Sequence, residues 1–166
     1  MSAPAAKLYG VLDCAIDPAL YDHVVRLEPE WAVCLFERVV PRVRRASPWL
    51  IELSPSDPLS RAWRGAGWDK NWGVLVSSRC EMTTVKLRLK RFTQARLPDG
   101  AGPVLFRFWD PRVLRVFMPT LRPEDAADWF TDIDRWIVPS EDGKGSIRFS
   151  LKDGVVAGEA GPPPAR

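Results

Sequence analysis

Histidine is almost missing: His23 is the only one in 166 residues. A nucleophilic triad or dyad needs an imidazole oriented by a second group. His23 sits mid-helix near Tyr21 and Asp22, and the sequence supplies no such partner. Cysteine is also scarce. Cys14, Cys34 and Cys80 are odd in number, widely spaced and set in or beside apolar runs. That pattern argues against a disulfide frame and against zinc spacing, and it suits small buried hydrophobes in a reducing compartment. No apolar stretch approaches the roughly 18 residues of a membrane helix, and the opening MSAPAAKLYG lacks the apolar core of a signal peptide. The expectation is a cytoplasmic protein with no membrane partner. The glycines at 65, 67 and 73 fit neither GxxxxGK[ST] nor a GxGxxG between strand and helix. No cofactor and no metal are expected. Net charge is only +3, from 24 Lys and Arg against 21 Asp and Glu, too balanced to imply nucleic acid.

What is present is eight Trp, sixteen Pro and a recurrent aspartate–proline device at Asp17-Pro18, Asp57-Pro58 and Asp110-Pro111. Asp caps a helix and Pro suits its first position, where its missing N–H would have had no partner. Each pair therefore predicts a helix start. Apolar runs at Leu8–Leu12, Trp31–Phe36, Trp49–Leu53 and Trp72–Val76 predict strands between them. Glu81–Phe92 fits a helix through Met82, Val85, Leu89 and Phe92, although TVKLRLKR also alternates like a strand; helices and strands alternating on either side favour the helix. Val104–Trp109, interrupted only by Arg107, predicts a strand buried on both faces, followed by a helix from Pro111 to Met118. Pro123–Phe130 predicts a further helix and Ser146–Leu151 a late edge strand. The expected architecture is a single α/β domain with a mostly parallel, or mixed, central sheet and helices on both faces. An N-terminal arm (1–7), the domain (8–152) and a disordered Pro/Gly-rich tail (153–166) complete the expectation.

Asp13 and Asp110, expected at the carboxyl ends of strands, are the candidate chemical groups, as a metal pair or as acid and base. Helix capping is the better-supported account of Asp110, as it is of Asp17 and Asp57. Arg107 inside a buried strand requires a partner, and Asp13 or Asp110 could supply it in a structural network. Lys86, Arg88, Lys90, Arg91 and Arg96 could form a stripe for phosphates or simply a solvated helix face. Trp68, Trp72 and Trp109 are candidate interface anchors, with core packing the commoner role of tryptophan. On the helix after Pro111, Val113, Leu114 and Phe117 share the inward face, leaving Arg112 and Arg115 outward or at its edge.

Four stretches in order, LYGVLDCAIDPALY, LEPEWAVCLFE, GWDKNWGVLVSS and RLPDGAGPVLFRFWDPRVLRVFMPTL, resemble the effector-adaptor, or effector-chaperone, family of the bacterial type VI secretion system, also called domain of unknown function 4123. The resemblance runs from Leu8 to Ile137. Its most specific piece is Phe106–Leu114, FRFWDPRVL, similar to the family's FRFYDPRVL with Trp109 replacing Tyr. It implies a non-enzymatic cytoplasmic protein that binds a cognate toxic effector and helps load it onto the VgrG spike or its tip. Surface recognition would then fall to Trp68, Trp72, Arg107, Trp109, Arg112 and Arg115. The competing expectations are a small hydrolase or metal-dependent enzyme using Asp13 and Asp110, and a nucleic-acid binder using the basic stripe.

Overall fold

The computed structural model describes residues 4–164. In chain order the elements are β1 (Lys7–Asp13), α1 (Ala19–Val24), β2 (Ala32–Cys34), α2 (Pro41–Arg45) and β3 (Pro48–Glu52). There follow α3 (Pro58–Ala62), β4 (Gly73–Ser78), α4 (Met82–Lys90), β5 (Gln94–Arg96) and β6 (Pro103–Leu105). The chain ends with α5 (Pro111–Phe117), α6 (Pro123–Trp129), β7 (Arg135–Pro139), β8 (Ser146–Lys152) and β9 (Val155–Gly161). The aspartate–proline device works as local chemistry predicts. Asp57 Oδ2 accepts from Ser60 N at 2.6 Å, Asp110 Oδ1 from Arg112 N at 3.0 Å and Asp17 Oδ1 from Ala19 N at 3.0 Å.

The sheet has seven strands in the order β2-β3-β1-β4-β7-β8-β9, and every neighbouring pair is antiparallel. The expected mostly parallel sheet is therefore incorrect, for a specific topological reason. β1–α1–β2 does join two parallel strands, but β3 lies between them. β3–α3–β4 likewise joins two parallel strands with β1 between them. The strand–helix alternation in the sequence is real; the two crossover units interleave, so each strand hydrogen-bonds to one of opposite direction.

Strand alternation sorts side chains onto the two faces. Tyr9, Val11, Val74, Val76, Trp136 and Phe149 join a core closed by α4, α5 and α6, which contribute Val85, Leu89, Leu114 and Trp129. Leu12, Leu75, Trp49 and Ile51 belong to a second core closed by α1 and by the chain from α3 to Trp68. Trp63 lies against Gly10 so closely that a Cβ there would fall 2.3 Å from its ring.

Three further expectations are corrected. Val104–Trp109 is not a central buried strand. β6 covers only its first residues, pairs with β5 in a separate exposed ribbon, and the rest curls through Phe108 N to Phe106 O (3.0 Å) and Asp110 N to Arg107 O (3.0 Å). Phe108 and Trp109 are buried nonetheless, because aromatic side chains anchor this irregular chain: Phe108 packs edge-on to Trp136 at 5.7 Å and Trp109 to Phe36 at 5.8 Å. An apolar run shows burial; it does not show whether the backbone there is extended or curled. The Ser146–Leu151 segment is a strand, but not an edge, since β9 pairs along its whole length. Half of the expected disordered tail, Val155–Gly161, is thus sheet; residues 165 and 166 lie outside the described residues. Of the expected N-terminal arm, residues 1–3 lie outside them too, and Lys7 already belongs to β1.

Candidate functional site

β1 delivers Asp13 to the end of the sheet, where its backbone N–H donates to Trp72 O at 2.7 Å. The chain then turns sharply, and Asp13 Oδ1 accepts from Ala15 N at 3.0 Å. Its other oxygen, Oδ2, receives Arg107 Nη2 at 2.5 Å. The acid is almost fully covered, at 2% side-chain exposure, whereas the arginine is 45% exposed. Three residues on, Asp110 repeats the arrangement. Its Oδ1 accepts from Arg112 Nε at 3.0 Å as well as from the Arg112 N–H, and its Oδ2 from Arg112 Nη2 at 2.7 Å. Here too the carboxylate is buried and the guanidinium, at 59%, is open.

The two pairs form one electrostatic cluster. Burial pushes the Asp110 carboxyl up, but the hydrogen bonds and charge of Arg112, with the charge of Arg107 added, outweigh it and hold the group below its ordinary value. Arg112 is correspondingly raised, first by its hydrogen bond to Asp110, with the charge of Asp13 also contributing. Two buried acids thus hold two guanidinium groups in place at the surface. Each group keeps N–H donors turned to solvent, a geometry suited to carboxylates or backbone carbonyls of a partner.

The structure pairs Arg107 with Asp13, whereas Asp110 is engaged by Arg112 and feels Arg107 only through its charge. The i, i+2 spacing of Asp110 and Arg112 across a helix start is the signal that could have identified this pair. The predicted surface residues divide. Arg107 and Arg112 are exposed and Trp72 is half-buried, packed over Gly67. Trp68 and Trp109, each at 2% exposure, are core residues, and Trp68 Nε1 is spent on Gly145 O at 2.9 Å. Arg115 is half-buried and donates to Pro139 O at 3.0 Å, tying α5 to β7. His23 is exposed on α1.

The basic stripe of α4 is matched internally. Lys86 and Lys90 hold Glu37 at 2.9 and 3.0 Å, while Arg88 bridges Asp128 and Asp132 at 3.0 and 3.1 Å. The two lysines draw the Glu37 carboxyl down to about 2.

A family model described as "Domain of unknown function (DUF4123)" matches residues 8–128, and the chain belongs to that family. No curated protein and no solved structure matches the chain.

Proposed function

We propose that this member of the family is a non-enzymatic adaptor of bacterial type VI secretion, acting in the cytoplasm, that binds a cognate toxic effector and helps load it onto the VgrG spike or its tip. The observation that supports this reading most directly is the arginine display. The segment carrying the resemblance, Phe106–Leu114, bears both arginines, with Arg107 held by Asp13 of β1 and Arg112 by the segment's own Asp110. Phe106, Phe108 and Trp109 anchor that segment from below, which makes the display stiff and lowers the entropy lost on binding.

Recognition proceeds by docking a segment of the effector against this rim. The half-buried Trp72 supplies apolar contact, and the guanidinium groups set orientation through paired N–H donors. Trp68, Trp109 and Arg115 contribute by holding the fold beneath and beside the rim. The alternative of a hydrolase or metal-dependent enzyme on Asp13 and Asp110 gains no support from the geometry, since the oxygens of both carboxylates are already engaged by arginine and backbone N–H groups.

The test is co-purification of the tagged chain with a type VI effector and the VgrG protein of the same genome, using wild type and an Arg107→Lys/Arg112→Lys variant. Lysine keeps the charge opposite each buried acid but loses the planar fork. Capture by wild type, reduced about tenfold in a variant with unchanged circular dichroism, is the expected result. A wild-type chain that captures neither protein overturns the adaptor reading, and full capture by the lysine variant removes the arginine pair from the interface.

A further inference from the structure

The second face of the sheet is covered only in part. α1, α3 and Trp63 pack over β2, β3, β1 and β4, while the same side of β7, β8 and β9 is left to solvent. Register puts Arg135 beside Ser77 of β4, and Arg148 between Ile137 of β7 and Glu159 of β9, on this open side. Three adjoining depressions run across it. One of about 350 Å³ is lined by Leu8, Arg64, Ile137, Arg135 and Arg148. It shares Arg64 and Pro164 with a larger one of about 830 Å³, which adds Arg61, Lys70 and Lys144. It shares Arg135 and Arg148 with a third of about 530 Å³.

Bases outnumber acids along this groove. Arg61, Arg64, Lys70, Arg135, Lys144 and Arg148 have no ion-pair partner among the described residues, in contrast to the bases of α4. Of the acids lining it, Asp134 is paired with Arg79, and Glu159 is paired with Lys152 while also lying within the field of Arg135 and Arg148; Asp69 is left unpaired among the described residues. An open antiparallel sheet face is ordinarily polar, with charges of both signs. Arg135 and Arg148 on the sheet face, with Arg61, Arg64, Lys70 and Lys144 on the flanking helix and turns, give the groove a positive excess on a chain of net charge only +3.

Two features decide the chemistry of the occupant. Single-stranded nucleic acid on a sheet needs aromatic platforms for its bases. Trp68, at 2% exposure and with its N–H already used, is the one aromatic residue lining the three depressions. The floor between the arginines is instead aliphatic, from Leu8 and Ile137. Alternating guanidinium and aliphatic groups match alternating carboxylate and aliphatic side chains.

We propose that this open face, continued by the turn after α3, is a docking groove for an acidic polypeptide segment of a partner protein. Its carboxylates meet Arg64, Arg135 and Arg148, and its apolar side chains lie on Leu8 and Ile137. The groove goes beyond the adaptor reading, whose arginines belong to the side of the sheet that α5 covers, and stands without it.

The experiment is fluorescence anisotropy with the purified full chain. The probes are a labelled peptide of alternating Glu and Leu, its Gln-for-Glu counterpart, and a labelled single-stranded oligonucleotide of equal charge. The Glu peptide should bind at least about tenfold more tightly than either other probe. Arg135→Glu/Arg148→Glu should abolish that preference, as should Lys70→Glu/Lys144→Glu at exposed positions where folding is not at stake. Arg26→Glu/Arg42→Glu, two exposed bases outside the groove with the same change in net charge, should bind like wild type. No measurable binding of the Glu peptide, equal loss in all three double variants, or tighter binding of the oligonucleotide overturns the proposal.

Discussion

Asp110 serves as helix cap, as counter-ion and as anchor of the arginine rim with one carboxylate. Replacing it by Ala removes the cap and frees Arg112, which is largely solvated already, so the expected cost is about 1–2 kcal/mol, most of it from the cap. Asn retains the cap acceptor and should recover the larger part. The folded pKa of Asp110 lies below its unfolded value of about 3.9. Its charge-dependent stabilisation is therefore complete above that value and is lost as pH falls through the folded pKa. Urea denaturation of wild type and Asp110→Asn should show a stability gap near neutral pH that closes in acid; a gap independent of pH would mean that the charge contributes nothing.

At the scale of elements, β1 organises the fold, since it hydrogen-bonds to β3 on one side and β4 on the other and contributes to both cores. Gly10 lies in its middle because the ring of Trp63 occupies the space a side chain would take. Gly10→Ala should therefore destabilise the protein by about 1–3 kcal/mol, although alanine usually favours a strand over glycine. Calorimetry checks this, and the Gly10→Ala step should cost less when made in a Trp63→Leu background, which is itself destabilised by its cavity. Destabilisation unrelieved by the smaller residue would place the cause elsewhere than in this contact.

For the whole molecule, the sheet does not end where the family match ends. β7, β8 and β9 follow residue 128 and close the first core with Trp136, Val138 and Phe149. β9 covers the backbone edge of β8 through paired residues from Ser146↔Gly161 to Lys152↔Val155. Deletion of residues 155–164 should expose a seven-residue edge, lower the denaturation midpoint and promote self-association. Size-exclusion chromatography and urea unfolding of the truncated chain report both effects. A monomer of wild-type stability would show that β9 is dispensable.

Much of the local structure was legible in the residues. The aspartate–proline pairs marked the starts of α3 and α5 and the entry to α1, because capping and the fixed φ of proline act within a few residues. Strands β1, β3, β4 and β8 were visible as apolar or alternating runs. An acidic partner for Arg107 was expected, either Asp13 or Asp110, on the premise of a buried strand; the partner is Asp13, but Arg107 lies outside the strand and 45% exposed, so burial was not the reason. Strand direction was not legible, because an interleaved pair of crossovers and a simple parallel sheet have the same order of helices and strands. Nor could the apolar pattern of Val104–Trp109 tell an extended backbone from a curled one anchored by aromatics. The groove was hidden for a related reason. Arg64, Arg135 and Arg148 lie far apart in the chain and unremarkably among their neighbours; pairing of β7 with β4 and β8 sets Arg135 and Arg148 on one face, and packing of the α3 segment on the second core brings Arg64 beside them.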